Sequence, residues 1–244
     1  MGKLTDLQTL RLQELCIEST NYLTIDPETT AALASALAAL PHLVELDLCG
    51  NSLPPAAANV LARELQQLTG LTCLKLFDNE STLHGFTVIK HDFESGCRLL
   101  EAVGRMAGLR SFSMLGFCRP VHQDERTELI ASALGALAGL TRLEKLGMDG
   151  NLFSAEAATA LAGTLTRLTQ LTELTMGWTF DKKGNSLTSP EAVSALTAPL
   201  VALTSLTKLV TYEGPCSPAT IETLASALGR MPALTWLNAG PTMG

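Results

Sequence analysis

One apolar pattern in this chain is neither strand alternation nor a helical stripe. In LVELDLCGNSL, residues 43–53, leucine stands at Leu43, Leu46, Leu48 and Leu53, with Asn51 before the last. The pattern recurs in LQTLRLQEL from Leu7, LTCLKLFDN from Leu71, LRSFSMLGF from Leu109 and LEKLGMDGN from Leu143. LTELTMGWT from Leu171, LTKLVTYEG from Leu206 and LTWLNAGPT from Leu234 complete eight copies. Successive starts are 36, 28, 38, 34, 28, 35 and 28 residues apart. A floor of 28, reached three times, is what an array of one small unit produces when some members carry loop insertions.

Between the copies the period changes to that of a helix. DPETTAALASALAAL opens with Asp26 as N-cap and Pro27 in the first turn, followed by Ala and Leu at helical spacing. SPEAVSALTAPL (Ser189, Pro190) and SPATIETLASALGRM (Ser217, Pro218) repeat this start, and SAEAATALAGTLTRL uses Ser154. A capping side chain satisfies orphan amides, and proline at the first helical position lacks one to satisfy. Each unit therefore reads as a short strand, a loop and a helix of about three turns.

These residues resemble the leucine-rich repeat family, in its long, 28-residue, ribonuclease-inhibitor-like class. The match is carried by Leu43/Leu46/Leu48/Asn51/Leu53, Leu71/Leu74/Leu76/Asn79 and Leu143/Leu146/Met148/Asn151, and it spans essentially the whole chain. The resemblance implies an α/β fold: a right-handed curved solenoid, a horseshoe segment with a parallel β-sheet on the concave face and helices on the convex face. It would be a single domain over residues 1–244 with about eight repeats. The leucines would turn inward and stack, since one repeat cannot bury its own apolar face. The asparagine amide would bond backbone groups of the adjacent coil that are otherwise buried and unpaired. Asn fills that position in three units; Leu15, Phe117, Thr179, Gly214 and Thr242 stand there in the others. Cys16 and Cys118 lie one residue later, consistent with a one-residue bulge.

Neither end reads as a capping repeat: repeat-like sequence starts near Leu4, and LTWLNAGPTMG ends eleven residues into a unit. Open coil ends expose apolar edges and unpaired strand groups. They would belong either to a fragment of a longer protein or to a chain whose ends dock onto other subunits.

Composition narrows the function classes. Hydrophobic residues make up 46%, which argues against disorder. A net charge of −7 and a pI near 5.1 argue against a binder of phosphate backbones, so no nucleic-acid partner is expected. No apolar run reaches membrane-spanning length. The start, MGKLTDLQTL, lacks the apolar core of a secretory signal, and Asp6 stands where a myristoylation motif wants Ser or Thr. The six cysteines form no CxxC pair and read as small buried hydrophobes. A cytoplasmic, reducing location is the expectation.

In the resembled family the usual ligand surface is the concave sheet. Its variable positions here include Thr9, Arg11, Glu45, Asp47, Cys49, Cys73, Lys75, Phe77, Asp78, Ser111, Ser113, Lys145, Asp149, Glu173, Thr175, Trp178, Lys208, Val210, Tyr212, Glu213, Trp236 and Asn238. Phe77, Trp178, Tyr212 and Trp236 are four of only eleven aromatics, and all fall on strand positions expected to be exposed. Aromatic anchors among charges are what binding hot spots look like. Packing under a long loop, or over the open end of the solenoid, would explain Trp178 and Trp236 equally. Glu45, Asp47 and Asp78 cluster, which fits a modestly basic partner or simple solvation of an open face.

Four units carry insertions after the strand, with sequences CIESTNYLTIDPE, NESTLHGFTVIKHDFESG, CRPVHQDERTE and FDKKGNSLTSPE. All would emerge along one rim, where insertions commonly form binding loops. The candidate rim residues are His84, Phe86, His91, Phe93, His122 and Phe180. Tolerated drift is the bland alternative, but Phe86, Val88, Ile89 and Phe93 need burial somewhere.

His84, His91, Asp92, Cys97, Cys118 and His122 bring zinc to mind, yet their spacings match no compact motif. No phosphate loop, HExxH, GxSxG or nucleophile–base pair is present. Glu45 and Asp47 would sit on an open face without a pocket. The expectation is therefore a non-enzymatic protein-recognition module, with no catalytic residue, cofactor or metal, binding through the concave sheet, the rim loops or both. A structural subunit of a larger assembly and a regulatory segment of a multidomain protein are the alternatives. Solubility of the isolated chain as a monomer would separate the first from the others.

Overall fold

A computed structural model describes residues 6–13, 27–49, 55–76, 93–114, 127–149, 151, 154–177, 190–212 and 218–238. Its strands are β1 (Thr9–Arg11), β2 (Glu45–Asp47), β3 (Cys73–Leu76), β4 (Ser111–Met114), β5 (Lys145–Gly147), β6 (Glu173–Gly177), β7 (Lys208–Tyr212) and β8 (Trp236–Asn238). Between them lie α1 (Pro27–Ala38), α2 (Pro55–Leu65), α3 (Phe93–Val103), α4 (Thr127–Ala136), α5 (Ala155–Leu165), α6 (Pro190–Ala202) and α7 (Pro218–Leu228). A 3-10 turn, Leu137–Gly139, follows α4. All strands are parallel and pair in sequence order, β1 to β8, as one open sheet. Every strand starts two residues after the first leucine of its motif, so the apolar pattern located all eight.

This is the leucine-rich repeat architecture. Helices pack roughly 8–10 Å apart and strands roughly 4.8 Å apart. A stack of strand–helix coils must therefore bend toward its strands, which puts the sheet on the inner, concave face. The register aligns one inward row through Leu46, Leu74, Phe112, Leu146, Leu174 and Leu209, none more than 2% exposed. Leu43, Leu71, Leu109, Leu143, Leu171 and Leu206 form a second row, each 0–1% exposed. Each fully buried leucine contributes about 1.5–3 kcal/mol. Leu237, the β8 member of the inward row, is 44% exposed because no further coil covers it among the described residues.

The helix starts follow their sequence signals. Pro27, Pro190 and Pro218 each occupy the first helical position. The Ser154 hydroxyl accepts the Ala157 N–H at 3.2 Å and caps α5. Neighbouring helices are also tied by a polar bond: the buried Thr164 hydroxyl donates to the Leu134 carbonyl at 2.7 Å, taking up an acceptor near the end of α4.

Polar ladders run between coils on both sides of the leucine stack. The Asn151 amide donates to the Met114 carbonyl one coil back and to the Met148 carbonyl of its own coil, both at 2.8 Å. Asn51 and Asn79 lie outside the described residues. A second ladder precedes the strands. The Glu144 carbonyl accepts the N–H groups of Thr172 and Glu173 and also the Thr172 hydroxyl at 3.0 Å. Thr207 repeats this on the Thr172 carbonyl at 3.1 Å, and Thr235 on the Thr207 carbonyl at 3.2 Å. Thr72 reaches the Val44 carbonyl at 3.5 Å, the edge of bonding distance. The threonine of the recurring LTxL is thus a structural tie that hydrophobic patterning does not reveal.

Candidate functional site

The candidate site is the open face of the sheet. Alternate strand residues point onto it, and the parallel register arranges them in rows that cross the strands. One row reads Thr9, Glu45, Cys73, Ser111, Lys145, Glu173, Lys208, Trp236; the next reads Arg11, Asp47, Lys75, Ser113, Gly147, Thr175, Val210, Asn238. These are the positions that strand geometry assigns to the face, and the two rows fall into three zones of different chemistry.

The first zone covers β1 to β3. Arg11 Nη2 lies 3.2 Å from Glu45 Oε1, and Lys75 Nζ lies 3.8 Å from the same oxygen. Asp47 Oδ2 accepts from Gln13 Nε2 at 2.8 Å and Lys75 Nζ at 3.3 Å, while Oδ1 accepts the Cys49 N–H at 3.1 Å. Burial raises the Asp47 pKa, but the Cys49 amide and thiol, the Gln13 amide and the Lys75 charge outweigh it and hold the carboxyl below its ordinary value.

The second zone is small and uncharged: Cys73, Ser111, Ser113 and Gly147. A Cβ on Gly147 would come within 2.9 Å of Ser113 Oγ. Burial pushes the Cys73 thiol up, opposed by a hydrogen bond with Ser111, so it stays protonated at neutral pH.

The third zone covers β5 to β8. Glu173 accepts from Lys145 Nζ at 2.7 Å on Oε1 and lies 3.6 Å from Lys208 Nζ on Oε2. The hydrogen bond from Lys145, opposed by burial and reinforced by the charges of both lysines, holds the Glu173 carboxyl below its ordinary value. Lys208 Nζ also stands 5.1 Å from the ring centroid of Trp236, within cation–π range. The Thr175 hydroxyl donates to Asp149 Oδ2 at 2.9 Å. Arg110 and Glu144 pair at the foot of the zone.

Of the sequence candidates, Glu45, Lys75 and Trp236 lie on this face, Trp236 with 45% of its surface exposed. Asp47, Cys49 and Val210 depart from the expected exposure, at 1%, 5% and 4%. Gln13 and Lys75 close over Asp47, so its carboxylate is a strut between three coils rather than an exposed contact. The acidic cluster expected at Glu45 and Asp47 is neutralised within the fold by Arg11 and Lys75. Among the described residues the face carries Arg11, Lys75, Lys145 and Lys208 against Glu45, Asp47, Asp149 and Glu173, so it is balanced while the whole chain carries −7.

Phe77, Asp78, Trp178, Glu213, His84, Phe86, His91, His122 and Phe180 lie outside the described residues, as do the side chains of Phe93 and Tyr212. The Lys145–Glu173–Lys208 ladder was not singled out from sequence. The signal was there, since alternating charges one motif apart at the same motif position must become cross-strand neighbours in a parallel array. Among the described residues no group of three His, Cys, Asp or Glu could hold a metal ion. Cys97 is buried inside α3, and Cys49, Cys73 and Cys97 are not joined in disulfides. No helix among the described residues is long and apolar enough to cross a membrane.

No protein-family model matches the sequence, and no curated protein matches it. Among solved structures the chain is similar to human 5T4 (Wnt-activated inhibitory factor 1, trophoblast glycoprotein), with 17% sequence identity and a TM-score of 0.37. That alignment covers 84% of this chain and 54% of the 5T4 chain, so it spans about half the length of its neighbour.

Proposed function

We propose that this chain is a non-enzymatic recognition module that binds a protein partner through the sheet face, helped by the long loops on one rim. It is one repeat domain over residues 1–244, of the 28-residue, ribonuclease-inhibitor-like class. The 28-residue spacing and the helix between each pair of consecutive strands support that placement. The observation that carries the functional reading is the third zone: an indole 45% exposed stands at the end of a row of half-exposed charges on an open sheet. Aromatic side chains are enriched among residues that dominate binding energy, and charges around them set orientation and rate. The open face is a poor place for catalysis, which needs groups gathered in a water-excluded pocket. A cytoplasmic, reducing location is part of this reading and draws on cysteines that form no CxxC pair.

The test is crosslinking of the whole chain in native extract, with linked residues mapped by mass spectrometry, in the wild type and in Trp236→Ala. Links from Lys75, Lys145 or Lys208, or from the loop lysines Lys90, Lys182 and Lys183, to one protein and their loss in Trp236→Ala support the reading. Links confined to helix residues would sink it. A second reading, a subunit built permanently into an assembly, draws on Leu237, 44% exposed in a row otherwise sealed from β2 to β7. Links to several proteins in fixed stoichiometry, clustered near the two ends of the solenoid, would favour that reading instead.

A further inference from the structure

The third zone also specifies what its partner must look like, if the sheet face is the binding surface. Lys145, Glu173, Lys208 and Trp236 occupy the same register position on four consecutive strands. Adjacent strands stand roughly 4.8 Å apart, so the two lysines lie about 9.6 Å apart along the row, with Glu173 midway and Trp236 one step beyond Lys208. The lysine side chains are 53% and 41% exposed, and both share one carboxylate that is itself 30% exposed. An ammonium carries three donors. Each lysine therefore keeps capacity for a second acceptor, and a partner cation placed over Glu173 alone would face two like charges.

We propose that this row docks a helix of a partner protein lying across the strands. That helix presents an acidic side chain to Lys145, a basic one to Glu173, an acidic one to Lys208 and an apolar one to Trp236. The repeat distances favour a helix over an extended segment. Residues i and i+7 of a helix are about 10.5 Å apart on one face, close to the lysine separation. In an extended segment, same-face residues fall at about 6.8 Å and 13.6 Å, and neither meets it. The base at i+3 or i+4 then sits over Glu173, and the apolar residue at i+10 or i+11 reaches the exposed indole. The net charge of −7 does not veto acidic side chains here, because it is screened beyond roughly 8 Å at physiological salt and the face itself is balanced.

A displayed library of helix-constrained 18-residue segments, selected on the whole chain, tests this. One selection uses the wild type; a second uses the variant Lys145→Glu/Glu173→Lys/Lys208→Glu, which keeps the internal pairs with inverted polarity. The expected result is enrichment of acid–base–acid–apolar segments on the wild type and of base–acid–base segments on the variant. Each segment should prefer its own target by about tenfold, the reach of three partly exposed ion pairs, since Trp236 is common to both targets. Segments of other patterns that still lose binding in Trp236→Ala would overturn the helix pattern and leave the sheet-face reading standing. Segments insensitive to all of these substitutions would overturn both, and no enrichment would overturn the helical occupant alone.

Discussion

Lys75 reaches back one coil to Asp47, its Nζ 3.3 Å from Oδ2, and the carboxylate it meets is only 1% exposed. Asp47 thereby joins β1, β2 and β3 through Gln13, Cys49 and Lys75. Truncating one partner of such a cluster leaves the others buried and unmatched. Asp47→Asn is expected to lower stability by about 1–3 kcal/mol at pH 7, read from urea unfolding. The pH dependence follows from the depressed carboxyl. A group whose folded pKa lies below its unfolded value stabilises above the unfolded value, near 3.8 here, and loses that contribution as pH falls through the folded one. The gap between wild type and Asp47→Asn should therefore be full above pH 5 and shrink as pH drops below about 4. A gap constant down to pH 2 would show that the ionised form is not what matters.

Asn151 ties two coils with one amide, and both carbonyls it serves lie beside the buried leucine stack. Asn151→Ala leaves the Met114 and Met148 carbonyls without that donor, and a cost of about 2–4 kcal/mol is expected in urea unfolding, roughly one to two hydrogen-bond losses. Asn151→Cys, mimicking the cysteines found near this position elsewhere in the chain, should recover part of it. Equal loss in both variants would mean that neither the thiol nor its added volume replaces the amide donor.

How far the sequence led can be judged from such residues. The leucine rows and the strand starts were legible because each depends on burial or backbone chemistry that one residue type supplies best. The tie made by Asn151 was legible for the same reason, since the turn places an amide where unpaired carbonyls lie. The threonine ladder was not, because Thr172 and Thr207 look like ordinary strand-entry polar residues until the carbonyl one coil back is in view. The exposure of Asp47, Cys49 and Val210 was misjudged because alternation gives direction, not cover. Which neighbours fold over a face position depends on the length of side chains one coil away. The Lys145–Glu173–Lys208 row needed the register between coils, which a reading of each repeat by itself does not provide.

Gly104 and Gly163 should respond to alanine with opposite signs. A Cβ on Gly104 would sit 2.3 Å from the Ala136 carbonyl oxygen, backbone that cannot swing aside, where the end of α3 meets the end of α4. Gly104→Ala is expected to cost about 1–3 kcal/mol through overpacking. Gly163 lies inside α5 with nothing within 4 Å of an added Cβ. Gly163→Ala should stabilise by about 0.5–1 kcal/mol, because alanine gives up less backbone entropy on entering a helix. Thermal unfolding of the two variants beside wild type decides it, and a shared sign would contradict the close approach at Gly104.

Thr211 marks a flaw in the leucine stack. It pairs in register with Met176, and earlier strands place Leu76 and Met114 in the same inward row. Thr211 is 2% exposed, yet its hydroxyl has no hydrogen-bond partner among the described residues. A hydroxyl buried without a partner costs about 1–3 kcal/mol relative to an apolar group of the same shape. Thr211→Val keeps the branched shape and the strand preference while removing that oxygen. The variant is expected to raise stability by about 1 kcal/mol, seen as a higher urea midpoint with an unchanged slope. Thr211→Ser is the control, since it keeps the hydroxyl, removes a methyl and should be less stable than wild type. If the valine variant were instead destabilised, the hydroxyl would be held by a bond within the fold, and the stack at β7 would owe its stability to that bond rather than tolerate an unpaired oxygen.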